Sequence, residues 1–275
     1  MSIDYSAYKN KLKEKKLPKF IEATGIELPP EISNLSQYTD TLNRDYFPYY
    51  NYNGGTCFYV RRKEASENKN GKKIFYAFSY GEDGKWHKLS WPNNRCLYNE
   101  HLLKTHQDKP VLISEGEKAA AYGSKNFSDY VHVAWSGGSK AVSKTNFQHL
   151  KDREVILFPD NDPDGIRAMV HVAKTLIDED ITDNIRIVEV EELPQGFDIA
   201  DAPMHQEINV PGYIKKAVEF DPDTYIKELK AIQTSEDKKS IEFAIEKFIK
   251  EYIYIRSVMS FYELDNKELL KKEQI

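Results

Sequence analysis

The chain has 275 residues, 40% hydrophobic and 30% charged, enough for one large core or two modest ones. No apolar run is long enough to span a bilayer, and the opening MSIDYSAYKNKLKEKK lacks the apolar stretch of a signal peptide, so a cytoplasmic protein with no membrane partner is expected. Only Cys57 and Cys96 are present, which argues against a disulfide framework.

The net charge of −5 hides an asymmetry. Residues 1–110 carry 18 Lys and Arg against 13 Asp and Glu; residues 111–275 carry 21 against 31. A basic front and an acidic back suit a polyanionic substrate, although scatter alone can give such a swing.

Residues 1–45 read as helical and then loop-like. Their basic run of Lys9, Lys11, Lys13, Lys15, Lys16 and Lys19 is read first as a solvated face and second as a nucleic-acid contact. Residues 46–98 read as β-rich. TCFYVRRK and KKIFYAFSY are strand candidates around the polar loop EASENKNG, and GEDG turns into KWHKLSW. The dense aromatics here are either the core of a small sheet or, beside Arg61, Arg62, Lys63, Lys72 and Lys73, a surface that stacks bases and holds phosphates.

Residues 109–204 alternate between strand and helix. Strands are predicted at 111–114, 131–134, 155–158 and 185–190, and helices at about 116–125, 143–150 and 166–178. In the last helix Ile166, Met169, Val170, Ala173, Leu176 and Ile177 fall at helical spacing. Such alternation implies an α/β fold with a parallel sheet flanked by helices. Residues 205–275 read as all-helical, with a cap at Thr234 or Ser235 and a stripe of Ile241, Ile245, Phe248, Tyr252 and Ile255.

The chemistry collects where these strands end. Val111–Ser114 runs into Glu115, and Val155–Phe158 runs through Pro159 into Asp160, Asp162 and Asp164. The second strand leads to Trp135-Ser-Gly137-Gly138-Ser-Lys140, the fourth to Gly196-Phe-Asp198-Ile-Ala-Asp201. In an open parallel sheet ligands bind beyond the carboxyl ends of the strands. The acids therefore suit Mg²⁺, which needs only one or two carboxylates besides water and phosphate oxygens. Glu115, on another strand, is a candidate to hold a second ion or to move a proton. Gly137 and Gly138 permit close approach of phosphate, and Lys140 adds charge. Other readings fail. A calcium loop needs Glu at its twelfth position, which is His171, and a helix in front of it. An aspartyl-phosphate enzyme leaves Glu115 without a role. Neither GxGxxG after the first strand nor GxxxxGK[ST] anywhere occurs.

Glu115-Gly-Glu-Lys118, the Gly137-Gly138 loop, Asp160-Asn-Asp162-Pro-Asp-Gly165 and Gly196-Phe-Asp198-Ile-Ala-Asp201, in this order, resemble the Toprim domain, most of all in primases of phages and plasmids. The resemblance covers about 109–204. It implies three parts: a basic, β-rich α+β subdomain at 1–108, a Toprim catalytic domain at 109–204, and a helical subdomain at 205–275. It also implies a DNA primase, a nucleotidyltransferase that copies single-stranded DNA into short RNA from ribonucleoside triphosphates. Glu115 would be the acid/base or a metal ligand, and Asp160 and Asp162 would hold Mg²⁺, or Mn²⁺ in its place. Asp198 or Asp201 would assist, and Lys118 would contact phosphate or pair with an acid. Such primases usually begin with a zinc ribbon. Here Cys57, Cys96, His101 and His106 lack finger spacing, so no zinc is expected and template selection falls to another element or another chain. The expected partner is a replicative helicase, on a separate chain or in a missing C-terminal region. The rival readings are a Toprim nuclease and a non-catalytic nucleic-acid-binding module.

Overall fold

The computed structural model describes residues 18–33, 46–63 and 73–222. By its internal contacts the chain divides between Pro222 and Asp223, so all of these lie in the first unit. The basic run at 9–16 and the stripe from Ile241 to Ile255 fall outside the described residues. Of the first 45 residues, the described part holds a short strand, β1 (Phe20–Ile21), and a single helical turn, α1 (Pro30–Ser33).

Four further strands follow: β2 (Tyr46–Tyr50), β3 (Thr56–Lys63), β4 (Ile74–Gly81) and β5 (Trp86–His87). They form an antiparallel sheet ordered β1-β4-β3-β2, with β5 paired to β4. The two predicted strands are β3 and β4. Alternation along a strand divides the aromatics between two faces. Tyr59 and Phe78 pack with Ile32 on one face. Phe47, Tyr49, Phe58 and Val60 pack on the other, where the Tyr49 and Phe58 rings stack at 4.2 Å.

A short helix, α2 (Glu100–Thr105), leads into the second sheet. It is built from β6 (Val111–Ser114), α3 (Glu117–Asn126), β7 (Val131–Ala134), β8 (Val155–Phe158), α4 (Pro163–Asp178), β9 (Ile185–Ile187), α5 (Val210–Lys215) and β10 (Val218–Glu219). The strand order is β10-β9-β8-β6-β7. β7, β6, β8 and β9 run parallel, as the alternation predicts, and β10 closes the edge antiparallel. Every residue of β6, β7 and β8 is buried, which is why these strands are largely apolar rather than alternating. The two sheets meet through small side chains. Ala120 and Ala121 of α3 and Ala134 of β7 pack against Phe47, Tyr49 and Val60.

Four expectations are corrected. The predicted helix at 143–150 is two 3-10 turns, Ser139–Lys144 and Gln148–Leu150. The chain between them is captured by the segment around Arg95, whose amide donates to the Lys144 carbonyl at 2.9 Å and whose carbonyl accepts from the Asn146 amide at 2.8 Å. The strand predicted at 185–190 stops at Ile187. Beyond Met204 the chain is not wholly helical. α5 buries Val210 and Ile214 beside Leu112 and Ile156, and β10 then pairs with β9. On α4, Ile177 is 37% exposed, and the buried face is centred on Met169, Val172, Ala173 and Leu176. Among the described residues no helix is long and apolar enough to cross a membrane.

Candidate active site

β6 and β8 are neighbours, with Ser114 opposite Phe158. Their carboxyl ends therefore open side by side, and the residues just beyond them, Glu115 and Asp160, enter the same crevice. Burial pushes the Glu115 carboxyl up to about 6, with help from Asp162, Asp164 and Asp198. Burial pushes Asp160 further, to about 8, and the charges of Asp198, Glu115, Asp162 and Asp201 add to it. Each acid feels the others across loops that are distant in sequence.

Local chemistry fixes this convergence. Asp162 caps α4, its Oδ1 accepting from the Gly165 amide at 2.7 Å, and Pro163 fills the first turn. Gly165 has a steric reason: a Cβ there would lie 2.5 Å from the Asp160 carbonyl oxygen. Asn161 ties this loop to the next. Its side-chain amide donates to the Leu193 carbonyl at 2.6 Å, its backbone amide to the Phe197 carbonyl at 3.0 Å, and its carbonyl accepts from Gly196 at 2.7 Å. That clamp carries Asp198 to the crevice. Asp198 in turn caps the 3-10 turn Ile199–Met204, accepting from the Ala200 amide at 2.5 Å, while Asp201 Oδ2 accepts from the Asp198 amide at 3.1 Å. Burial raises the Asp198 pKa, the Asp201 charge adds to it, and Lys118 and Arg62 draw it back.

The crevice opens into a cavity of about 430 Å³ between the two sheets. On one wall stand Glu115, Asp160 and Asp198 with Lys118, Gly137 and Gly138; on the other stand Arg62, Lys73 and Phe75. Asp162 and Asp201 are not on the lining and act on it through their charge and their hydrogen bonds to the loop backbone. Gly137 and Gly138 both have positive φ, 102° and 69°, so the loop after β7 needs glycine there. The loop is pinned by Trp135 Nε1 donating to the Gly138 carbonyl at 2.9 Å and Arg95 Nη1 donating to the Ser136 carbonyl at 3.0 Å. Lys140 lies exposed on the 3-10 turn, away from the cavity lining.

Strand parity sorts the basic residues. Arg62 and Lys73 face the cavity. Arg61 and Lys63 belong to the alternate positions of β3, and Lys72 lies outside the described residues. Sequence reasoning missed Glu117, Tyr49, Asn161 and Arg95. Tyr49 Oη donates to Glu117 Oε1 at 2.7 Å in a buried pair that joins the two sheets. The Glu-Gly-Glu spacing was visible, yet nothing in it says that the second acid is buried against a tyrosine 68 residues away. Cys57 and Cys96 are both buried.

Among the described residues no three Asp, Glu, His or Cys side chains stand close enough to cage a metal ion by themselves. The donor set still fits Mg²⁺, which keeps several waters and takes phosphate oxygens alongside one or two carboxylates. Of the four carboxylates on the cavity lining, Glu117 is bound by Tyr49, and Glu115, Asp160 and Asp198 are available to it.

A family model described as a domain of unknown function (DUF6371) matches residues 47–161. No curated protein matches the chain. Among solved structures, the chain is similar to the Escherichia coli primase catalytic core at 19% identity and a TM-score of 0.45, covering 66% of this chain and 54% of that one. It is similar to the RNA polymerase domain of Mycobacterium tuberculosis primase DnaG at 14% identity and a TM-score of 0.43, covering 63% and 55%. It is also similar to the primase fragment of the bacteriophage T7 primase-helicase protein at 18% identity and a TM-score of 0.35, covering 62% and 61%. The chain thus spans about half the length of the cellular primase cores it matches.

Proposed function

We propose that this chain is a Toprim-type nucleotidyltransferase of the phage and plasmid kind, a primase that makes short RNA on single-stranded DNA. One observation carries the reading: Glu115, Asp160 and Asp198 face Arg62 and Lys73 across a single cavity of about 430 Å³. That volume suits a nucleotide, since ligand pockets run from roughly 300 to 1,000 Å³. A wall of carboxylates opposite a wall of cations suits a phosphate chain held at both ends.

Each residue then has a task. Asp160, with Asp198 beside it, would hold Mg²⁺, and Asp162 and Asp201 set the orientation of these two loops. When bound, the ion neutralises charge at the transferring phosphate. Glu115, with its carboxyl near 6, can accept or return a proton at neutral pH. Lys118, Arg62 and Lys73 take phosphate oxygens. The template is single-stranded DNA, the substrates are ribonucleoside triphosphates, and the partner is a replicative helicase, on a separate chain or in a further C-terminal region.

The test is incubation of the full chain with single-stranded DNA, ribonucleotides and Mg²⁺. Short RNA products support the primase. Shortened DNA without nucleotide incorporation replaces it with a nuclease using the same acids. Binding without either product leaves a non-catalytic module.

A further inference from the structure

The cavity wall opposite the acids is not purely ionic. Tyr46 of β2 pairs with Arg61, and one step further along β3 Arg62 pairs with Phe75 of β4. The same sheet face changes character along its length. Near Tyr49 and Phe58 it is sealed by α3. At Val60 and Ala77 it begins to line the cavity, and at Arg62, Phe75 and Lys73 it is the cavity wall. Phe75 is 52% exposed there, whereas Phe47, Phe58 and Phe78 of the same sheet are at most 2% exposed. The Arg62 guanidinium lies 5.9 Å from the centre of the Phe75 ring, directly across the strand pair. A cross-strand partner of this kind holds a ring in place and adds a cation–π contact.

We infer that Phe75 is a stacking platform for a nucleobase, with Arg62 and Lys73 beside it taking the phosphates of the same strand. This deepens the proposed function and rests on it for the identity of the ligand. An aromatic ring accepts any base, because every base has a π-face, and cations flanking it follow the backbone without reading sequence. The placement fits one ligand across the cavity. Arg62 is near enough to the acids for its charge to act on both Glu117 and Asp198. A nucleotide whose base rests on Phe75 therefore has its phosphates within the field of both walls. Ser90 is also on the lining and adds a polar group to the cavity.

The test compares two single strands of about twelve nucleotides, an oligothymidylate and an abasic strand of equal length, which shares the phosphates and lacks the bases. Binding to the full chain is measured without ribonucleotides. Wild type should prefer the oligothymidylate by about tenfold, and Phe75→Ala should erase that preference while leaving abasic binding and its salt dependence unchanged. Phe75→Trp should keep the preference, and its added tryptophan emission should change on binding oligothymidylate and not on binding the abasic strand. Equal loss for both strands in Phe75→Ala, or a preference that survives it, overturns the inference. So does a Phe75→Trp emission unchanged by either strand. Failure of the proposed reaction reads out separately: wild type without RNA synthesis but with a Phe75-dependent preference sinks the primase and keeps the platform.

Discussion

Asp160 carries a conflict that either a proton or a cation relieves. It is buried among four other acids, so without an ion it is held in its protonated form near neutral pH. Asp160→Asn removes that conflict. The variant should match or exceed the thermal stability of metal-free wild type, and it should lose RNA synthesis by at least about a hundredfold. Mg²⁺ should raise the melting temperature of wild type by mass action and leave the variant nearly unmoved. A variant that keeps synthesis, or melts far below wild type, contradicts this role. His132 offers a second test, remote from the acids. Its Nε2–H donates to the Phe127 carbonyl at 3.0 Å, and its Nδ1 has no hydrogen-bond partner and abuts Gly123. Burial pulls its pKa down to about 4. The unfolded chain takes that proton at its ordinary value near 6.5. The stability this depression contributes is therefore whole above about pH 6.5 and is lost as pH falls toward 4. The urea-unfolding free energies of wild type and His132→Gln should draw together by about 3 kcal/mol over that window.

At the scale of elements, α4 and its N-terminal loop form one device. Asp162 is at once a cap and a charge near the site, and two substitutions separate these tasks. Asn caps as well as Asp does, so Asp162→Asn should keep stability within a few tenths of a kcal/mol while lowering activity. Asp162→Ala loses the cap too, and should cost about 1 kcal/mol in chemical denaturation. Equal activity in Asp162→Asn and wild type would leave Asp162 a cap alone. Gly165 explains why this helix starts where it does, since any side chain there meets the Asp160 backbone. The existence of α3, α4 and the parallel strands was legible because apolar period and turn residues are local properties. The helix expected at 143–150 failed for the opposite reason. Its apolar spacing is adequate, but hydrogen bonds to the segment around Arg95 captured its backbone.

For the whole described unit, the site exists because two sheets are held at one separation. Tyr49 on β2 and Glu117 on α3 are the polar link between them, inside an apolar contact. Burial raises the Glu117 pKa, and the Tyr49 hydroxyl and the Arg62 charge oppose that rise. Tyr49→Phe leaves a buried carboxyl without its donor. It should cost about 1–3 kcal/mol in urea denaturation. It should also weaken Mg²⁺-dependent synthesis, although Tyr49 itself is not on the cavity lining. An unchanged unfolding midpoint would show the link to be dispensable. The sequence by itself determined the order of β6, α3, β7, β8, α4 and β9, the loops in which Glu115, Asp160, Asp162 and Asp198 stand, and the glycines those loops require. These follow from residue types read over a few neighbours. Only the tertiary structure decided that Arg62 and Phe75 face the acids while Arg61 turns away, that Glu117 is bound by Tyr49, and that a fifth strand closes the sheet. Strand alternation fixes which residues share a face, but packing against α3 selects which face looks inward, and that choice is made by residues far away in the chain.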